Sequence, residues 1–176
     1  MAKLLEFKEY SMGLKDDNGN IYNLLDKITF YIEEGKALGV VGESGCGKSM
    51  TSLSIMRLLP SNTVIQGGQI LYKGEDLLKK SEQDMQKVRG KDISIIFQEP
   101  MTSLNPVLTV GFQIGEVLKR HFPDMSKDEI RKKVIEQLEM VGIPSPERRI
   151  NQYPHEFSGG MRQRVMIAMA VICQPK

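Results

Sequence analysis

The stretch that most constrains this chain is GESGCGKS at residues 42–49, which fits G-x-x-x-x-G-K-[S/T] at every defined position. Ahead of it lies an apolar run, residues 37–41, that reads as a buried strand, and behind it the helical stretch SMTSLSIMRLL. That context separates a phosphate-binding loop from a chance glycine-rich turn. Glycines let the loop fold tightly, so that successive N–H groups surround phosphate oxygens, and the helix that begins near Lys48 adds the positive end of its dipole. Lys48 is expected to reach the β- and γ-phosphates and the Ser49 hydroxyl to ligate Mg²⁺, with Gly42, Glu43, Ser44, Gly45, Cys46, Gly47 and Met50 completing the cradle. Cys46 reads as a small loop residue rather than a redox centre. The motif implies a nucleoside triphosphate and little else, because kinases, GTPases, helicases and transporters all use such loops.

Composition narrows the partners. With 176 residues, 40% hydrophobic and 26% charged, the chain can bury one ordinary globular core. Lys plus Arg number 24 against 22 for Asp plus Glu, so a net charge of +2 gives no electrostatic reason to expect nucleic acid. The two cysteines, Cys46 and Cys173, cannot build a disulfide framework, and MAKLLEFKEY lacks the apolar stretch of a signal peptide; a reducing, cytosolic setting is expected. The longest apolar run, residues 165–173, falls well short of the roughly 20 residues that span a bilayer. Any membrane role is therefore expected to come through a partner.

Residues 4–7 and 28–32 carry strand-like runs, with DDNGN at 16–20 as the turn between them. Residues 69–72 read as a strand closed by Gly74, and residues 93–97 as another apolar strand stopped by Pro100. From Val110 the pattern becomes helical. In SKDEIRKKVIEQLEMVG, Ser126 and Glu129 form a capping-box pair, Ile130, Val134, Leu138 and Val141 recur at spacings of three or four, and Gly142 is the stop. The charged faces around it read as solvated surface.

A second helix start with an anion-binding look occurs in HEFSGGMRQR, residues 155–164. Ser158 is a good N-cap, Gly159 and Gly160 keep the approach free of side chains, and MRQRVMIAMAVIC has an apolar face suited to a core helix. By itself this is a plain capped helix. The order P-loop, strand ending in Gln98, helical stretch, Ser-Gly-Gly helix start resembles the nucleotide-binding domain of ATP-binding cassette (ABC) proteins over essentially the whole chain. More finely, FQEPMTSLNP at 97–106 and YPHEFSGGMRQRVMIAMA at 153–170 resemble the ATPase subunits of oligopeptide, dipeptide and nickel importers.

The resemblance implies an α/β fold: a P-loop NTPase (RecA-like) core with an N-terminal antiparallel β subdomain and an inserted α-helical subdomain, incomplete at its C-terminus. Residues 1–105 would form the β subdomain plus P-loop core, 106–154 the helical insert that contacts a permease, and 155–176 the signature motif with its helix. Ser158, Gly159, Gly160 and Met161 would be the signature, acting on the ATP held by a second ATPase subunit, identical or paralogous. That would explain why one small domain carries two such helix starts. Gln98 would be the Q-loop glutamine, touching Mg²⁺ and the attacking water, and with Lys48 would make up the catalytic set; His155 reads as a loop residue beside the signature. Met161 stands where the wider family has glutamine, which fits the peptide-importer branch. Leu14 stands where an aromatic often stacks on adenine, with Tyr10 and Tyr22 as alternatives. The family continues with an apolar strand closing in Asp-Glu and later a switch histidine, so the 176-residue chain alone is expected to bind ATP and Mg²⁺ without hydrolysing ATP. The implied function is an ATPase energising import of peptides or nickel, peripheral on the cytoplasmic face of the membrane, with permease subunits and indirectly a substrate-binding protein as partners. A soluble ABC ATPase without a permease is the alternative.

Overall fold

The first strand, β1 (Lys3–Lys15), carries an alternation of apolar residues that breaks once and resumes in the opposite phase. Leu5 and Phe7 are buried, and after the break Tyr10 and Met12 are buried. Continuing the first phase would have turned the carboxylate of Glu9 inward. Instead Glu9 takes a left-handed φ of 45° and the pairing register shifts between Phe7 and Tyr10. The extra residue of this bulge moves the charged side chain out of the core face. Hydroxyls from both strands accept the backbone groups that the irregular ladder frees: Glu9 N–H donates to Thr29 Oγ1 (3.0 Å) and Lys27 N–H to Ser11 Oγ (2.8 Å).

The structure is a computed structural model that describes residues 2–97 and 103–175. They fall into two units, Met1–Met85 and Gln86–Lys176. In the first, β1 pairs antiparallel with β2 (Ile21–Glu33) on one edge and with β3 (Thr63–Tyr72) on the other, and the short β4 (Glu75–Asp76) extends the sheet in the order β2-β1-β3-β4. Phe7 stacks on Phe30 at 4.5 Å between ring centroids. The expected turn forms at 16–20, where Asp16 Oδ1 accepts from the backbone N–H of Asn18 (3.0 Å) and Asn20 (2.8 Å). Helix α1 (Lys48–Met56) ends at Arg57, a left-handed C-cap whose guanidinium donates to Lys80 O at 2.6 Å.

Two strands expected from the sequence are not formed. Residues 37–41 pair with no described strand, and Val41 is 93% exposed. Residues 93–97 supply a single isolated bridge, Ile93 to Arg89, with Ile96 and Phe97 exposed. A parallel strand is held only by ladders to flanking strands and by cover on its faces. Neither segment has those among the described residues, so an apolar run stays irregular.

After α2 (Glu82–Val88), the second unit is a helical assembly of α3 (Val110–His121), α4 (Lys127–Met140), the single turn α5 (Pro146–Arg149) and α6 (Gly159–Val171). Ile114 and Leu118 of α3, Val134 and Leu138 of α4, Val165 of α6, and Phe157 just ahead of α6 meet in one buried cluster. The capping box of α4 is complete: Ser126 Oγ accepts from Glu129 N–H (3.3 Å), and Glu129 Oε2 accepts from Ser126 N–H (2.8 Å). Gly142, with φ 73°, follows the helix end as expected.

Candidate functional site

The loop 42–47 ends at Gly47, the N-cap of α1, which has a φ of 94° and no side chain to cap the helix. The first helical bond of α1 runs from Thr51 N–H to Gly47 O (2.9 Å), so the N–H groups of Lys48, Ser49 and Met50 precede it without an intrahelical partner. A Cβ at Gly47 would sit 2.6 Å from Leu25 Cδ2 and 3.4 Å from Leu24 O, so glycine is what lets the helix start press against β2. The helix begins where the sequence placed it, with donors and dipole aimed outward.

Lys48 arches back over the loop. Its ammonium donates to Gly42 O (2.7 Å) and Glu43 O (2.5 Å) and lies 3.5 Å from Cys46 Sγ. Residues 42–46 and Ser49 are exposed, so the cationic head, the uncapped N–H groups and the Ser49 hydroxyl gather at a surface open to a ligand. A multiply charged phosphate satisfies all three at once, through charge on the ammonium and hydrogen bonds to the amides. Among the described residues no cluster of three or more His, Cys, Asp and Glu could hold a metal ion. The oxygen offered here for a cation is that of Ser49. Gln98, its expected companion, lies outside the described residues.

The alternatives for the adenine face separate by exposure. Tyr10 is 0% exposed and has no ring face free for a base. Tyr22 is 61% exposed and sits directly across from Leu14 in the β1–β2 register. It is also two residues before Leu24, whose carbonyl borders Gly47.

The Ser-Gly-Gly start is built in the second unit. Ser158 caps α6 by accepting from Met161 N–H at 3.3 Å. Gly159 and Gly160 are exposed, and a Cβ on either would meet nothing within 4 Å, so their lack of side chains serves no packing need among the described residues. What sequence reasoning missed is how firmly this start is held. Arg162 Nε donates to Pro154 O (2.9 Å) and Phe157 O (3.0 Å), tying the first turn of α6 to the 3-10 turn Pro154–Glu156 before it. Arg164 Nη1 donates to Gly142 O (2.8 Å), beyond the end of α4. Glu156 accepts from Tyr153 N–H (2.7 Å) and from Gln152 Nε2 (3.1 Å), and Phe157 is buried under Arg149. His155 is exposed and stacks on Tyr153 at 5.7 Å, as befits a loop residue beside the signature.

Residues 25–176 match the family model described as ABC transporter. The oligopeptide transport ATP-binding protein OppD of Bacillus subtilis is 50% identical over 177 residues, covering 100% of this chain and 49% of that protein. The dipeptide transport ATP-binding protein DppD of the same organism is 49% identical, over 99% of this chain and 52% of that protein. The chain thus spans about half the length of these relatives. Among solved structures, MJ0796, described as a bacterial ABC transporter cassette in dimeric form, is 27% identical with a TM-score of 0.83, covering 97% of this chain and 70% of that one. A second structure of MJ0796, in a post-hydrolysis state bound to ADP and Pi, matches with the same TM-score of 0.83. These likenesses bear out the α/β P-loop NTPase fold class expected from the sequence.

Proposed function

The chain belongs to the ABC transporter family, and on that premise we propose that it is the ATP-binding part of an ATPase subunit that drives import of peptides. Lys48 held above the loop carbonyls of Gly42 and Glu43, beside the uncapped start of α1, is the observation that carries this reading. Names of relatives at about half identity, among them transport ATP-binding proteins for oligopeptides and dipeptides, support peptides as the cargo class, with nickel the other member of the resemblance.

In this reading the residues divide the work as follows. When bound, ATP would be the phosphoryl donor and Mg²⁺ would supply positive charge against its phosphates. Gly42, Glu43, Ser44, Gly45, Cys46 and Gly47 wrap the phosphates with backbone N–H groups, Lys48 exchanges the loop carbonyls for phosphate oxygens, Ser49 offers its hydroxyl to Mg²⁺, and Met50 continues the helix start. Gln98 orients water. Ser158, Gly159, Gly160 and Met161 close on the nucleotide of a second ATPase subunit, for which the dimeric cassette is the supporting likeness. Residues 1–105 act as the β subdomain and P-loop core, 106–154 as the insert facing a permease, and 155–176 as the signature with its helix. No helix among the described residues is long and apolar enough to cross a membrane; the proposed place of work is the cytoplasmic membrane face, reached through the permease and served by a substrate-binding protein.

The test is calorimetric. Lys48→Ala is expected to remove most ATP affinity, since a charge-assisted contact of this kind contributes about 1.5–3 kcal/mol. Unchanged ATP affinity in the variant would overturn the assignment of the loop.

A further inference from the structure

Gln113 is a buried polar side chain for which neither the phosphate loop nor the signature gives a task. It lies in the first turns of α3 at 5% exposure, and its amide is spent on the loop ahead of the helix. Its Oε1 accepts from Asn105 N–H (2.9 Å), while its Nε2 donates to Asn105 O (3.0 Å) and to Leu108 O (3.0 Å). The side chain therefore pairs with both backbone groups of one residue, as a neighbouring strand would. Both donors and one acceptor are satisfied, which is the condition for a buried amide to rigidify rather than destabilise its surroundings. Asn105 is further folded on itself, with Oδ1 accepting from Val107 N–H (3.1 Å) and its carbonyl from Leu108 N–H (3.3 Å).

The same end of α3 holds a second segment. Val110 N–H donates to Gln152 O (2.9 Å) and Gly111 N–H to Ile150 O (2.9 Å). A Cβ at Gly111 would overlap Ile150, so glycine permits this approach. Residues 150–152 lead through Pro154–Glu156 to Ser158. One helix start thus holds both the loop that follows Gln98 in sequence and the segment that delivers the signature.

We propose that Gln113 is a positioning residue for nucleotide turnover, its three hydrogen bonds fixing the 105–108 loop to the helix start that also anchors the approach to Ser158. This rests on the reading of Ser158 as acting on nucleotide. Gln113 touches no ligand; it acts by keeping two segments in one frame, where displacement by about 1 Å far from the chemistry costs up to about 100-fold in rate.

The experiment uses the full-length subunit assembled with its permease. Gln113→Met keeps the volume and removes the hydrogen bonds. Its kcat for ATP hydrolysis is expected to fall by about tenfold or more with KM for ATP unchanged. Gln137→Met is the control: Gln137 is also buried, on α4, with its Nε2 3.8 Å from Met140 Sδ, and its replacement is expected to leave kcat in place. Hydrogen exchange on the wild type supplies a measurement independent of any variant, with the Asn105 amide exchanging as slowly as the amides of α3. An unchanged kcat in Gln113→Met, an equal loss in Gln137→Met, or an Asn105 amide that exchanges as a free loop would each overturn the proposal. Wild-type protein that binds no ATP overturns the nucleotide reading together with this one, whereas normal turnover in the variant overturns this one alone.

Discussion

Tyr10 and Tyr22 are both tyrosines near the same sheet, and burial alone assigns them different work. Phe7 packs edge-on against Tyr10 at 5.6 Å, which makes Tyr10 part of the core. Tyr22 keeps its ring in solvent opposite Leu14, near the strand residues that border Gly47. If that ring stacks on adenine, Tyr22→Ala should weaken ATP binding by about 1–3 kcal/mol, the range for an aromatic stacked on a base, while Tyr22→Phe keeps the affinity. Inorganic triphosphate, which has no base, should bind wild type and Tyr22→Ala alike. Titrating both ligands separates the cases, and equal ATP affinity in Tyr22→Ala would return the role to Leu14. Lys48 carries a related lesson. The motif names the residue, but only the geometry reveals that its ammonium already has carbonyl partners, so the proposed phosphate binding would be an exchange of hydrogen bonds rather than the filling of a bare charge.

Among the elements, α4 tests how far a local signal determines local structure. Hydrogen bonds from the Ser126 side chain and backbone hold the Glu129 carboxyl below the usual carboxylate range. A carboxyl with a depressed folded-state pKa contributes stability above its unfolded pKa and loses that contribution as pH falls through its folded value. Glu129→Ala is therefore expected to lower the melting temperature at neutral pH, with the gap to wild type narrowing in acid; a gap that widened in acid would contradict the capping role. Ser126→Ala removes the cap itself and is expected to cost about 1 kcal/mol in a denaturant titration. The capping box, the Asp16 turn and the α1 start were legible because each is specified within a few residues. Residues 37–41 and 93–97 were misread because their apolar character says only that they favour burial, while a strand also needs a partner that no local pattern supplies. The Glu9 bulge is not legible for a related reason: the phase change between Phe7 and Tyr10 is visible in the sequence, but its resolution depends on hydrogen bonds across the ladder, from Glu9 to Thr29 and from Lys27 to Ser11. At the candidate site, the residues meant to touch phosphate could be named in advance. Arg162, Arg164 and Gln113 could not, because their partners are backbone carbonyls distant in sequence or hidden in the turn conformation.

For the whole molecule, the question is whether the phosphate loop of one unit and the signature of the other serve the same nucleotide. Ser158 is exposed, and its cap bond to Met161 N–H is what it gives to the fold. Replacing it by arginine should therefore cost the subunit only the cap, about 1 kcal/mol, because the long side chain can extend into solvent and the two glycines beyond it crowd nothing. The loop proposed to hold ATP, with Lys48 and the start of α1, contains none of the altered atoms. If the signature acts on the nucleotide of a second subunit, Ser158→Arg places a bulky cation in the surface that must close, so the isolated subunit should bind ATP with near wild-type affinity while the assembled transporter loses turnover. Mixed assemblies sharpen the test: one Ser158→Arg subunit joined to one Lys48→Ala subunit leaves a single intact pairing of loop and signature only in the arrangement that brings the Ser158→Arg subunit's loop to the Lys48→Ala subunit's signature. Retained nucleotide occlusion at that one site, measured with labelled ATP, is the expected result. A loss of ATP affinity in the isolated Ser158→Arg subunit that matches its loss of turnover would mean that the signature serves its own chain's nucleotide, and the pairing of two subunits would then have to be explained by something other than these two helix starts.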